Sequence, residues 1–145
     1  MAAMTKEERE AFLSELHVGV LSIPEEGRGP LTVPVWYSYE AGEVRISTGK
    51  VSRKAQLLKL AGRVSFCVQI ETSPYRYVSI EGPVIGMEPV DLERELRPLA
   101  RRYLGAEGGD QWVTGYIDRV NRDPNASEIL VRIRPERWLT VDYSK

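Results

Sequence analysis

Residues 46–69, ISTGKVSRKAQLLKLAGRVSFCVQ, read as a strand end, a short helix and a complete second strand. Upstream of Ile46, Val44 alternates with charge in EVRIST (43–48), the pattern of a half-buried strand. KAQLLKLAG (54–62) has helical spacing and stops at Gly62, and RVSFCVQI (63–70) is rich in β-formers. The junction between them gathers three hydroxyls, Ser47, Thr48 and Ser52, and three cations, Lys50, Arg53 and Lys54. A helix start carries partial positive charge, so cations are locally unfavourable there. With Ser52 as the helix cap, the first free amides point outward beside Arg53 and Lys54. Such a junction can hold a phosphate by charge and hydroxyl together. It can equally be a solvated basic helix start, and spacing alone does not choose.

Thr5 and Glu8 form a capping-box pattern ahead of a short helix whose apolar face is Phe12, Leu13 and Leu16. HVGVLSI (17–23) is a strand, PEEGRGP (24–30) a hairpin loop, and LTVPVWYSYE (31–40) one further strand. Pro34 places that strand at an edge or bulge, and Ala41–Gly42 turns the chain into residues 43–48. After the turn ETSPY (71–75), YRYVSIEGPVIGMEP (75–89) predicts a long strand bent at Gly82–Pro83. Asp91 caps a helix over 92–105 with Leu92, Leu96, Leu99 and Tyr103 in register, kinked by Pro98 and stopped by Gly105. DQWVTGYIDRV (110–120) places Trp112, Val113, Tyr116, Ile117 and Val120 on one helical face. EILVRIRP (128–135) and ERWLTVDYSK (136–145) supply the last strand or strands. Short, hairpin-connected strands predict a mainly β (α+β) chain, an antiparallel barrel decorated with helices, in one domain over 1–145.

The composition narrows the function. A formal net charge of -1 gives no whole-chain basis for nucleic-acid binding, and acidic residues are interspersed with the basic ones. No apolar run reaches a membrane span, and MAAMTKEERE does not read as a secretory leader. The single cysteine, Cys67, suits a reducing cytoplasm and reads as a small core residue. With one histidine and one cysteine a zinc site lacks its usual ligands, and a Ser-His-Asp arrangement would have to use His17, which reads as structural at its helix-to-strand junction. Neither GxGxxG nor GxxxxGK[ST] occurs.

The 46–69 stretch resembles the phosphate-binding segment of the pyridoxamine 5′-phosphate oxidase-like split β-barrel proteins. Three more segments share the likeness in order: VPVWYSYEAGEVRIST (33–48), PYRYVSIEGPV (74–84) and RIRPERWLTVDYSK (132–145). PVWYSYE and PYRYV are most similar to the branch that binds the deazaflavin F420 rather than FMN. Pyridoxamine phosphate oxidases proper carry a C-terminal arginine and histidine for substrate. This chain has no histidine after His17, so vitamin B6 oxidation is not expected.

The resemblance implies an FMN-binding-type split barrel and assigns phosphate binding to Ser47, Thr48, Ser52, Arg53 and Lys54. It implies that Val35 and Trp36 lie along the cofactor ring, and that Gln69 reaches a ring edge. Tyr75, Arg76 and Tyr77 match a segment that approaches the cofactor, often from a second subunit, so a homodimer is expected. Lys50 is a candidate for the acidic tail of F420, with Lys59 and Arg28 beyond it. Trp36 and Tyr77 can also be read as barrel core, and Trp112 and Trp138 as packing residues. The implied activity is F420H2-dependent reduction of an unsaturated small molecule, with Tyr37 or solvent as proton source and no catalytic side chain assigned. Two alternatives stay open: an FMN-binding oxidoreductase of the same fold, and a non-catalytic flavin or deazaflavin carrier.

Overall fold

A computed structural model describes residues 1–145. Eight strands form one antiparallel sheet: β1 (Gly19–Ile23), β2 (Leu31–Val35), β3 (Ser38–Glu40), β4 (Glu43–Gly49), β5 (Arg63–Gln69), β6 (Arg76–Pro89), β7 (Glu128–Ile133) and β8 (Arg137–Asp142). Their spatial order is β2-β1-β5-β6-β7-β4-β3, with β8 paired to β6 off that path. The two end strands, β2 and β3, are separated in sequence only by Trp36 and Tyr37. Three residue steps span at most about 10–11 Å, so the sheet must curl until its edges nearly meet. The expected single strand over 31–40 is therefore two strands, on opposite edges of a split barrel. The alternation of Leu31, Val33, Val35, Tyr37 and Tyr39 runs through both halves, which is why the break leaves no mark in the pattern. Pro34 lies in an edge strand, as its missing N–H requires.

Strand β6 holds the barrel together. Its first half pairs with β5 and β8 and its second half with β7, with a register shift between Val84 and Gly86. Gly82 marks the changeover because a Cβ there would lie 1.8 Å from the Arg134 carbonyl oxygen. The tight β3–β4 turn uses Ala41 (φ 51°) and Gly42 (φ 75°), both left-handed as a two-residue hairpin demands.

Strict alternation on β4 and β5 turns Val44, Ile46, Val64, Phe66 and Val68 inward, where they meet Leu21, Ile23, Val78, Ile80, Val131 and Ile133. Tyr37 is fully buried beside Phe66 and donates its hydroxyl to the Leu13 carbonyl at 2.7 Å. Helix α1 (Lys6–Ser14) starts with the Thr5/Glu8 capping box and buries Phe12 and Leu13. It ends before Leu16, which is 58% exposed instead of completing an apolar face. Cys67 is not a core residue: it shares the outward face of β5 with Arg63, Ser65 and Gln69, between Val20 and Ser79. Partial burial pushes its thiol pKa up.

Helix α2 (Arg53–Ala61) is capped by Ser52, whose hydroxyl accepts from the Ala55 amide at 3.1 Å, and Gly62 (φ 72°) ends it. Asp91 caps a single π turn, Leu92–Leu96, which leads into α3 (Arg97–Arg122). Pro98 thus falls in the first turn of α3, where its missing N–H disturbs nothing, and the expected kink moves to Gly105 (φ 80°, ψ 171°). Gly105 ends the first helical segment, as the sequence predicts, and a second segment starts directly after it. Beyond the bend, Gly109 sits where a Cβ would come within 2.5 Å of the Arg101 amide, so the two halves pack backbone to backbone. Asp110 ties them, accepting from Arg97 at 2.9 Å and Arg101 at 2.6 Å. Val113 and Tyr116 are buried, whereas Ile117 is 38% exposed because this half meets the barrel along a narrower stripe than the pattern predicts. No helix is long and apolar enough to cross a membrane.

Candidate functional site

A cavity of about 350 Å³ opens where the barrel splits, between the end of β2 and the β4–α2 junction. Pro34, Val35 and Trp36 line it from the end of β2, Ser47 from β4, Lys54 from the start of α2, and Leu96, Leu99 and Trp112 from the π turn and α3. Val18 and Glu128 complete it. Four residues expected from the sequence therefore meet: Val35, Trp36, Ser47 and Lys54. The fold causes this meeting, since curling the sheet carries β2 round to β4.

The cationic end is built by α2. Ser52 spends its hydroxyl on the Ala55 amide, leaving the Arg53 and Lys54 amides without helical acceptors. Lys54 is half-buried and pairs with no carboxylate. Arg53 pairs with Glu25 and does not line this cavity. Thr48 is buried on the inner face, its Oγ1 3.3 Å from Ser52 Oγ, and so supports the cap rather than the cavity. The Lys50 amide donates to the Ser127 carbonyl at 3.0 Å, and its side chain is not in the lining.

The opposite end is aromatic. Trp36 stacks on Tyr103 at 5.0 Å with planes 4° apart, and Trp112 lies 6.0 Å from Trp36, tilted by 53°. Trp112 stacks in turn on Tyr116 at 5.8 Å, with the Arg119 guanidinium 5.7 Å from the Trp112 ring. The sequence reading left Trp112 as packing; it lines the cavity. Its only sequence signal is helical register with Tyr116 beyond Gly105.

Glu128 is the one charged lining residue that sequence reasoning missed. It begins β7 opposite Gly49, and its carboxylate accepts from Ser47 Oγ at 2.5 Å. No local motif marks it, because the contact spans 81 positions.

Gln69, Tyr75, Arg76 and Tyr77 do not line this cavity within one chain. They lie at the β5–β6 hairpin, where Gln69 pairs with Tyr77 and Tyr75 is 52% exposed. The Arg76 guanidinium sits 5.1 Å from the Phe12 ring. Tyr37, considered as a proton source, is sealed in the core, and burial pushes its pKa up. His17 stacks on Phe12 at 4.6 Å and meets Glu15 at 3.1 Å, a structural role.

The donor set suits a phosphate-bearing ring compound: an ammonium, free helix-start amides and a hydroxyl at one end, indoles and aliphatic side chains at the other. One carboxylate, Glu128, opposes an anion there.

No family model and no curated protein matches the sequence. Solved structures do match. An F420 reductase superposes with TM-score 0.70 at 20% identity, covering 90% of this chain and 94% of its own. A conserved hypothetical protein from Mycobacterium tuberculosis gives 0.69 at 26% identity, with 97% and 86% covered. A Listeria innocua protein provisionally assigned as pyridoxamine 5′-phosphate oxidase gives 0.64 at 16% identity, with 93% and 96% covered. The fold is the split β-barrel of the pyridoxamine 5′-phosphate oxidase-like proteins, as the sequence resemblance implied.

Proposed function

We propose that this chain is an oxidoreductase that binds a phosphate-bearing flavin-type cofactor, F420 in preference to FMN, and reduces an unsaturated small molecule. The observation that carries this reading is the convergence of Ser47 and Lys54 with Trp36 and Trp112 on one cavity. The likeness to an F420 reductase supports a deazaflavin. When bound and reduced, such a cofactor supplies a hydride.

The protein's own contribution is binding, orientation and exclusion of water. Lys54 and the helix-start amides hold the phosphate, and Ser47 turns its hydroxyl from Glu128 toward it. Val35, Leu96 and Leu99 exclude water from the ring end, and the two indoles fix its plane. Tyr37 is locked to the Leu13 carbonyl, so the proton for the product comes from solvent.

The site is completed by a second copy of the chain. Val18, Val20, Tyr75, Leu139 and Tyr143 are 37–61% exposed. Val20, Cys67, Ser79 and Leu139 run in one row across β1, β5, β6 and β8. A partner seated on this face would lie next to the cavity, because Val18 also lines it. It would also bring its own 75–77 segment near, the role the sequence resemblance implied.

Equilibrium titration with F420 and with FMN, read by tryptophan quenching, tests the reading because two of the three tryptophans line the cavity. Saturable quenching with F420 binding more tightly is expected. Quenching by FMN alone moves the assignment to the FMN alternative, and tight binding without turnover of activated alkenes moves it to a carrier.

A further inference from the structure

A second cavity, of about 270 Å³, lies on the outer face of β3 and β4 beneath the π turn and the start of α3. It shares the side chains of Ser47 and Leu99 with the first cavity, so those two residues form the partition. We propose that this second cavity binds the carboxylate of a small organic acid.

The charges on its wall are unequally satisfied. Arg45 is neutralised by Glu40 and Glu43, each at 3.3 Å, and the Glu95 carboxylate accepts from the Asp91 amide at 2.8 Å. Arg94 and Arg102 have no carboxylate partner. Arg102 donates through Nη2 to the Ser14 and Glu15 carbonyls at 3.1 and 2.6 Å, which fixes its guanidinium against the end of α1. Its Nε is buried with no acceptor. With Nη2 committed to those carbonyls and Nε out of a ligand's reach, Nη1 is the free donor of this guanidinium, and it can give a carboxylate one charge-assisted hydrogen bond. Arg94 makes no side-chain hydrogen bond and stands at the rim, free to close on the same anion. The floor is apolar, from Leu99 and Leu130, so the fitting ligand carries a carboxylate on a short hydrocarbon body.

This inference rests on the cavity and not on the cofactor reading, so the test begins with the cofactor-free full chain. Nitrogen-15-labelled protein is titrated with benzoate and with benzamide, which has the same shape without the charge. Benzoate is expected to shift the Ser38, Arg45 and Arg94 amides saturably, and benzamide is not. Arg94→Glu is expected to weaken benzoate about tenfold or more while leaving the thermal midpoint unchanged, since Arg94 has no partner to lose. Equal binding of benzamide overturns the proposal. So do shifts centred on Trp36 and Trp112, or an Arg94→Glu protein that binds benzoate as the parent does. Repeating the titration with F420 present separates the source of the carboxylate. Benzoate that still binds assigns the site to a substrate acid, and benzoate that is displaced assigns it to the acidic tail of the cofactor. Either result upholds the carboxylate site, and a protein that takes up no flavin leaves the first titration intact.

Discussion

Lys54→Glu separates a ligand site from a solvated basic helix start. The substitution puts a negative charge in the first turn of α2, where the macrodipole favours it by about 0.3–1 kcal/mol. Lys54 has no carboxylate partner to lose, so the cofactor-free protein should be as stable as before or slightly more so. Cofactor affinity should move the other way. A hydrogen bond to a charged group contributes roughly 1.5–3 kcal/mol, and each 1.4 kcal/mol is about tenfold, so the loss should be at least tenfold. Arg53→Glu is the matched control. Arg53 pairs with Glu25 and does not line this cavity, so its replacement should cost less than about 1 kcal/mol of stability, as exposed pairs do, with little change in affinity. Thermal midpoint and F420 affinity are measured on the same preparations of both variants. Unchanged affinity in Lys54→Glu, or an equal loss in both variants, would refute the placement of the phosphate.

Glu128→Gln removes the only carboxylate of the cavity wall and should tighten cofactor binding by roughly threefold to tenfold; weaker binding in the same titration would show that Glu128 assists the ligand instead. Tyr37→Phe leaves the buried Leu13 carbonyl unpaired and should cost about 1–3 kcal/mol in urea unfolding with cofactor affinity unchanged. A loss of turnover out of proportion to stability would restore Tyr37 as a proton donor. Asp110 is held down to about 2 from its usual 3.8, first by Arg101 and then by Arg97. Because the folded value is the lower one, this contribution is present above the usual value and is lost as pH falls toward the folded one. Asp110→Asn should therefore flatten the loss of stability between those two values in an acid titration by circular dichroism, and identical curves would contradict the bridge.

The local devices were legible because each is written in adjacent residues. Thr5 with Glu8, Ser52 with Gly62, and Ala41 with Gly42 specify caps and turns within a few positions. The bend at Gly82 was also visible, although its reason, contact with the Arg134 carbonyl, is not local. What failed was whatever depends on how the barrel closes. Trp36 and Tyr37 continue an apolar extended run, and only the strand order shows that the chain crosses from one sheet edge to the other there. Cys67 is an exception, since Arg63, Ser65 and Gln69 alternate with the core residues and already mark its face as the outward one. Gly105 is the helix stop that the sequence predicts, and what no short window contains is the packing of Gly109 on Arg101 beyond it. In the site, the strand-end serine and the first lysine of α2 were readable from sequence. Trp112 and Glu128 reach the same cavity from α3 and β7, through contacts that no short window contains.

The central claim is that one cavity takes the phosphate at the start of α2 and the ring against Trp36 and Trp112. A crystal structure of the F420 complex tests it directly. The account predicts the phosphorus beside Lys54 and Ser47, the ring between the β2 end and α3, and a second copy of the chain covering Val18 and Leu139. A phosphate bound elsewhere, with both indoles untouched by the ring, would contradict it.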